Sequence, residues 1–412
     1  MNGFLPLFNR IQEYAWGSHR DIARLLGQPV PSPVPQAELW MGAHPKAPSE
    51  VSLCGERVFL SDVIERDPEG VLGEWTAKRF LGELPFLFKV LAAESPLSIQ
   101  AHPDLDQARR GYERENKEKI PIDAYKRSYR DRNHKPEILC ALSGFWAMSG
   151  FRPFDRMLDI LDVAPLRSIE REIEAFKGNP DKQGLKIFFN SLLSLPKDRV
   201  TEVGNEAVKW AASVERPSDA FFKPIKRWIG RIGARYPSDI GILAPVLLNL
   251  VRLEPGEAMY TPAGVLHAYL EGCGIELMAN SDNVLRGGLT DKFIDVPELL
   301  RTVRYDPVSS TRVAIIKREQ GETVYDTPAD EFTLSKITLD RKKPYKSDSI
   351  RSVEILLCTQ GHCTCTTVNF EYSHEMKKGE SVLVCSSMPE YSIQGEAVLF
   401  KASVPLPADI AS

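Results

Sequence analysis

The sequence has no excess of charge of either sign: 52 Lys and Arg face 56 Asp and Glu, a net charge of −4 over 412 residues. With no basic field there are few counterions to release from a phosphate backbone, so nucleic acid is not an expected partner. Long apolar runs are missing too. The stretch Ile242–Val251 is among the longest, and it falls well short of the ~20 residues a membrane span needs, so no membrane association is expected. The opening MNGFLPLFNR lacks the basic segment and apolar stretch of a secretory signal. Cysteine is sparse, and its seven positions (Cys54, Cys140, Cys273, Cys358, Cys363, Cys365 and Cys385) form an odd, scattered set without a disulfide-framework spacing. A reducing, cytoplasmic setting is expected. There is no sustained repeat, no low-complexity tract and no glycine-rich phosphate loop. What remains is 43% hydrophobic and 26% charged, a composition able to build a sizeable core.

Texture changes along the chain suggest how it is divided. Residues 1–150 hold short apolar runs bounded by Pro or Gly, such as LPFLFKVLA (84–92) and Ile138–Leu142, which read as strands. Between Pro103 and Pro136 the charged, helix-prone DLDQARRGYERENKEK reads as a partly helical surface insertion. From 153 to 236 apolar residues recur at three- and four-residue intervals: Met157, Leu158, Leu161; Ile169, Ile173, Phe176; Ile187, Phe188, Leu192, Leu195; and Phe221, Ile225, Trp228, Ile229, Ile232. Prolines 165, 180, 196 and 217 punctuate these amphipathic helices, whose aromatics read as core. Strand texture returns after Pro237, as Leu247–Leu253, Glu257–Tyr260 and Ile275–Met278. From about 312 to 407, short apolar runs with glycine turns at Gly361, Gly379 and Gly395 suggest a small all-β unit.

Four residues have the character of one metal site. Gln100 and His102 share a strand-like segment, and residues i and i+2 of a strand project from one face. Glu137 in NHKPE and His267 in AGVLHAY complete a set of two imidazoles, a carboxylate and an amide oxygen, which suits Zn²⁺ with a position left open. The pattern from Gly256 through Pro262 and Gly264 to His267 matches the second metal motif of the cupin superfamily, except that Glu271 replaces the usual Asn. The first cupin motif departs further, with Gln100 for its first His and Glu137 displaced beyond the insertion. His362-Cys363-Thr364-Cys365 has no second pair at metal spacing, and alternation would simply place both thiols on one strand face.

Longer segments narrow the resemblance. QEYAWGS (12–18), AELWMGAHPKAPS (37–49), LPFLFKVLAAESPLSIQAHPD (84–104), NHKPE (133–137), LEPGEAMYTPAGVLHAYLEG (253–272) and SDNVLRGGLTDK (281–292) resemble, in order, the type I phosphomannose isomerases. The resemblance implies a mainly β fold with a helical insert. Its parts would be a cupin-type jelly-roll catalytic domain (1–152 plus 237–315), an inserted helical domain (153–236) and a C-terminal jelly-roll-like β domain (316–412). It implies one Zn²⁺ per chain on Gln100, His102, Glu137 and His267. The activity it implies is interconversion of mannose 6-phosphate and fructose 6-phosphate through a cis-enediol(ate). A small sugar phosphate is then the expected partner, and a monomer the expected state.

Such chemistry needs an acid–base group near C1 and C2, a stabiliser for the developing oxyanion and an anchor for the phosphate. The resemblance places His134, Lys135, Glu276 and Asp282 in or beside the pocket. Lys135 and Asp282 are the candidates for ring opening, and His134 or Glu276 for proton transfer. Arg286 is the foremost phosphate or transition-state cation, with Lys292, Lys89 and Ser98 as further pocket candidates. Tyr269, two residues beyond His267, should line the cavity; Trp16 is placed at its mouth, and His44 in a loop near the site. Two other readings compete. One is a non-catalytic sugar-phosphate-binding cupin, disfavoured by intact NHKPE and SDNVLR segments. The other is an iron-dependent cupin dioxygenase, disfavoured by Gln100.

Overall fold

The computed structural model describes residues 3–53, 55–213, 220–308, 310–407 and 410. Cys54 lies outside them; the other six cysteines are buried and unpaired. Two large antiparallel sheets and a helical block make up the molecule, and both sheets are open at their edges.

The strand His267–Ala279 is the spine of the first sheet. Its second half pairs with Phe86–Ala93 on one side, setting Glu276 opposite Lys89. On the other side it pairs with Glu137–Ala141, setting Met278 opposite Glu137. Its first half has different neighbours: His267 lies opposite Ser149 of Phe145–Phe151 and opposite Gln100 of Ile99–Ala101. Gly272 makes the change of partners possible. Its φ is +129°, and a Cβ there would lie 2.8 Å from the Gly144 carbonyl oxygen, so a side chain would meet both strain and a clash. Glu38–Met41 and Arg10–Gln12 extend the sheet beyond Phe86–Ala93. Strands on this inner surface read as nearly continuous apolar runs because both faces are covered.

The helices Phe154–Val163, Glu170–Gly178, Lys182–Leu193, Lys197–Ala211 and Phe222–Arg235 fall where the 3.6-residue period appears. Their apolar faces share one core with Met148, Leu248 and Leu270 on the outer side of the first sheet. Two residues of the sequence pattern are misplaced: Phe221, just before its helix, is 39% exposed, and Ile187 is 52% exposed. Asp181 starts its helix by accepting from the Gly184 N–H at 2.8 Å, and the resulting phase turns Leu185, Phe188, Phe189 and Leu192 inward instead. Within the 103–136 insertion, Leu105–Lys117 is helical and opens with a reciprocal Asp104–Gln107 cap. Buried Glu115 then accepts from the Ser128 and Tyr129 amides, which returns the chain to the sheet.

The second sheet runs through Thr333–Leu339, Tyr391–Ser403, Glu354–Thr367 and Ser381–Val384, then continues into Phe4–Phe8 and Glu50–Leu53 from the other end of the chain. The division into 1–152 with 237–315, 153–236 and 316–412 stays a proposal, since the first strand completes the last unit's sheet. Gly361 and Gly395 correct the turn expectation. They lie inside the long hairpin Glu354–Thr367/Tyr391–Ser403, at φ +73° and +147°, where a Cβ would collide with the opposing backbone. They bend paired strands rather than end them. Cys363 and Cys365 point into that unit's core, as alternation requires. Among the described residues no helix is long and apolar enough to cross a membrane.

Candidate metal centre

Three strands and the turns that follow them aim four side chains at one point. Donor atoms of His102, Glu137 and His267 all lie within 4.8 Å of one another, and all three residues are fully buried. His267 Nε2 is 3.1 Å from Glu137 Oε2, and His102 Nε2 is 3.4 Å from Glu137 Oε1. Both imidazoles spend their Nδ1–H on backbone carbonyls: His102 donates to Asn283 O at 2.7 Å and His267 to Val265 O at 3.1 Å. That fixes the tautomer and leaves each Nε2 a lone pair facing a carboxylate oxygen. Acceptors facing acceptors in a buried place need a cation between them. His102 Nε2 and Glu137 Oε2 are accordingly buried without hydrogen-bond partners. The Gln100 amide sits 3.3 Å from His267 Nε2, directly across the strand pair, so its oxygen is within reach of the same point. Two neutral nitrogens, a carboxylate and an amide fit a divalent ion with mixed N/O preference.

Electrostatics support this state of the donors. Burial, with Lys135 adding to it, lowers the His102 pKa to about 4, so the imidazole is neutral. Burial pushes the Glu137 carboxyl up, but it is held well below the usual carboxylate range, with the Lys135 ammonium the largest influence in that direction. Lys135 Nζ lies 2.8 Å from Glu137 Oε1. Asn283 organises the surroundings. Its side chain accepts from the Arg130 and Asp131 amides and donates to the carbonyls of Asp131 and Asn133, while its own carbonyl holds His102.

The centre opens into a cavity of ≈ 770 Å³ lined by Gln100, Lys135, Glu137, Tyr269, Glu276, Asp282, Arg286 and Lys292, with Trp16, Lys89 and Ser98. Near the metal point stands a buried triad. Lys89 Nζ is 3.1 Å from Glu276 Oε2 and 3.7 Å from Glu38 Oε1, and Trp40 Nε1–H donates to Glu38 Oε2 at 2.6 Å. One ammonium between two carboxylates leaves a surplus of negative charge. Burial raises the Glu276 pKa, and the Glu137 and Glu38 carboxylates raise it further against the pull of Lys89. The Tyr269 hydroxyl is buried with no hydrogen-bond partner. At the far wall Arg286 and Lys292 are both held below their usual values, first by burial and then by like charge: Arg130 acts on Arg286, and Arg286, Arg130 and Lys46 act on Lys292. Cations crowded into one wall form an anion site.

The structure therefore gathers all but one of the candidate side chains around the centre. The exception is His134, which does not line the cavity: alternation along NHKPE turns Lys135 inward and His134 outward, where its Nε2 lies 2.6 Å from Glu331 Oε1. Glu271 also faces away, paired with Arg227 and Arg231 of the helical block. His44 is a neighbour of the site, edge-on to Trp40 and 3.7 Å from Asp282, with a pKa lowered to about 4 chiefly by burial. Glu38, Trp40, Lys46 and Arg130 line the cavity without having been singled out by sequence. Lys46 pairs with Asp282 at 2.9 Å. The first three stand inside AELWMGAHPKAPS, so the motif was visible while the roles of its charged residues were not.

Residues 4–154 match the phosphomannose isomerase type I catalytic domain. The chain is similar to mannose-6-phosphate isomerase of Escherichia coli, 41% identical over 395 residues, which cover 95% of this chain and 97% of the relative. It is similar in structure to a point mutant of phosphomannose isomerase from Salmonella typhimurium, with a TM-score of 0.90 and 37% identity, over 98% of this chain and all of that one. A zinc-bound mannose 6-phosphate isomerase superposes with a TM-score of 0.89 at 38% identity, again over 98% of this chain and all of the other.

Proposed function

The chain belongs to the type I phosphomannose isomerase family, and from that premise we propose how its own residues carry out the reaction. It is an aldose–ketose isomerase that interconverts mannose 6-phosphate and fructose 6-phosphate, with zinc as its cofactor. The observation that carries this reading is the pair of carbonyl-anchored imidazoles whose free nitrogens face one carboxylate at the floor of a cavity with a cationic wall.

Gln100, His102, Glu137 and His267 are the residues that would hold the ion. When bound there, zinc supplies Lewis-acid stabilisation of negative charge on the substrate's O1 and O2. Arg286, Lys292, Arg130 and Lys46 are suited to receive the phosphate, which fixes the sugar's orientation from the end remote from the reacting carbons. Lys135 and Asp282 stand on the cavity wall where a proton can be exchanged with the ring oxygen as the hexose opens. Glu276 suits the transfer between C2 and C1. It is a carboxylate kept basic by two neighbouring carboxylates and kept in place by Lys89, and it can take a carbon-bound proton from one face and return it to the adjacent carbon. Tyr269 offers a hydroxyl with no protein partner to an oxygen of the open-chain sugar. The reading also carries a cytoplasmic setting, since the substrate is a phosphorylated intracellular sugar.

Turnover in deuterium oxide tests the proton-transfer route. Deuterium at C1 of fructose 6-phosphate formed from mannose 6-phosphate is expected. Deuterium in the product requires a proton-transfer route, whereas wild-type turnover in zinc-loaded Glu276→Gln with hydrogen fully retained would point to internal hydride shift and remove the carboxylate base.

A further inference from the structure

We propose that Glu331, contributed by the C-terminal β unit, is a positioning residue for the isomerisation: it holds His134, and through it the loop that presents Lys135 and Glu137 to the cavity. The inference rests on the isomerase reading of the same site.

The loop 131–137 is fixed from two directions. On the cavity side Asn283 and Ser281 donate to the Asn133 carbonyl at 2.9 and 3.1 Å, and the Asn133 amide donates to the Asn280 carbonyl at 3.0 Å. On the opposite side the loop meets the C-terminal unit through the His134–Glu331 contact at 2.6 Å. Both side chains are mostly sheltered, 29% and 15% exposed, and the second Glu331 oxygen is buried with no other partner. Glu331 stands on a firm base. Phe332 beside it is fully buried in the core that also contains Ile138, Cys140 and Ile275, so the anchor and the sheet it braces move as one packed body.

His134 and Lys135 are adjacent and point apart, so any rotation of the loop that freed His134 would swing Lys135 off Glu137. The cations of the phosphate wall are set mostly on other segments: Lys46 on the 37–49 loop, and Arg286 and Lys292 on the 281–292 segment. Loosening the clamp should thus disturb the chemical step and leave phosphate anchoring nearly intact.

The test compares zinc-loaded full-length Glu331→Ala, Glu331→Gln, His134→Ala and the Glu331→Ala/His134→Ala double variant, by steady-state kinetics and by amide hydrogen exchange of segment 131–137. Glu331→Ala should lower kcat by about 10- to 100-fold, the cost of a misplaced catalytic group, with KM little changed. Glu331→Gln keeps an acceptor oxygen and should recover most of that loss. The double variant should be no worse than the poorer single one, since both remove the same contact. Exchange in 131–137 should accelerate in Glu331→Ala with zinc content unchanged. Wild-type turnover reports on the isomerase reading; the exchange rates report on the clamp whether or not a sugar phosphate turns over. Unaltered kcat and unaltered exchange in Glu331→Ala would overturn the proposal. So would a His134→Ala loss far deeper than that of Glu331→Ala, additive in the double variant, because His134 would then act by itself.

Discussion

At His102 and His267 one physical arrangement occurs twice: a backbone carbonyl takes the Nδ1–H, and the remaining nitrogen faces Glu137. Removing either imidazole should strip zinc and abolish turnover together. Metal analysis and assay of His102→Ala and His267→Ala check this, and an active variant that keeps its metal would refute the ligand assignment. Arg286→Ala should keep its zinc and lose about 10²–10³ in kcat/KM, because a phosphate held less firmly no longer fixes the reacting carbons against the acid–base groups. An unchanged kcat/KM would take Arg286 out of the site. The ligands were legible in sequence because each is a residue type rarely buried without a partner, set in a long ordered motif. The direction of His134 was not, since an extended pentapeptide gives alternation but not which alternate faces inward. Glu38 and Arg130 were missed for a related reason: a charged residue reads the same in sequence whether it faces water or a cavity.

Two elements show how local backbone chemistry holds the site together. Gly272 lets a single strand serve two sets of neighbours, which brings His267 and Glu276 into one cavity. Gly272→Ala, at φ +129° and 2.8 Å from an opposing carbonyl, should destabilise the fold by about 1–3 kcal/mol or more, read as a lowered Tm. A Tm equal to the parent's would mean the strand bends by another device. The helix Val296–Thr302 carries Glu298, which accepts from the Tyr129 hydroxyl at 2.6 Å and pairs with Arg114 at 3.3 Å. Burial pushes this carboxyl up, but Tyr129, Arg301 and Arg114 outweigh it and hold the pKa below its ordinary value. Its folded value being depressed, the stability it contributes is fully present above the unfolded value of about 4.3 and is lost as pH falls through the folded one. Glu298→Gln should therefore lower Tm at neutral pH, and the deficit should shrink in acid. A deficit independent of pH would show that its origin is packing. Helices were readable from their period because tertiary packing agreed with it. Gly361 and Gly395 misled because a glycine that bends a paired strand and one that ends it look alike in sequence.

On the scale of the whole molecule, the helical block and the second sheet both pack against the sheet that carries the metal point. The first sheet supplies the ligands, the helical block covers its outer face, and the C-terminal sheet shares a core with its back. That last sheet is completed by Phe4–Phe8, so the two ends of the chain are folded into one layer. Sequence texture located the helical block and the β character on either side of it. It could not show the sharing of strands, because pairing between residues 4 and 384 leaves no local signal. The central claim is that one bound ion and one cavity together interconvert mannose 6-phosphate and fructose 6-phosphate. It is tested most directly by a coupled assay for fructose 6-phosphate on metal-analysed protein supplied with mannose 6-phosphate, before chelation, after chelation and after Zn²⁺ is returned. The account predicts turnover with about one zinc per chain, loss on chelation and recovery on return of the ion. Fully zinc-loaded, folded protein without turnover, or turnover indifferent to the chelator once zinc is gone, would contradict it.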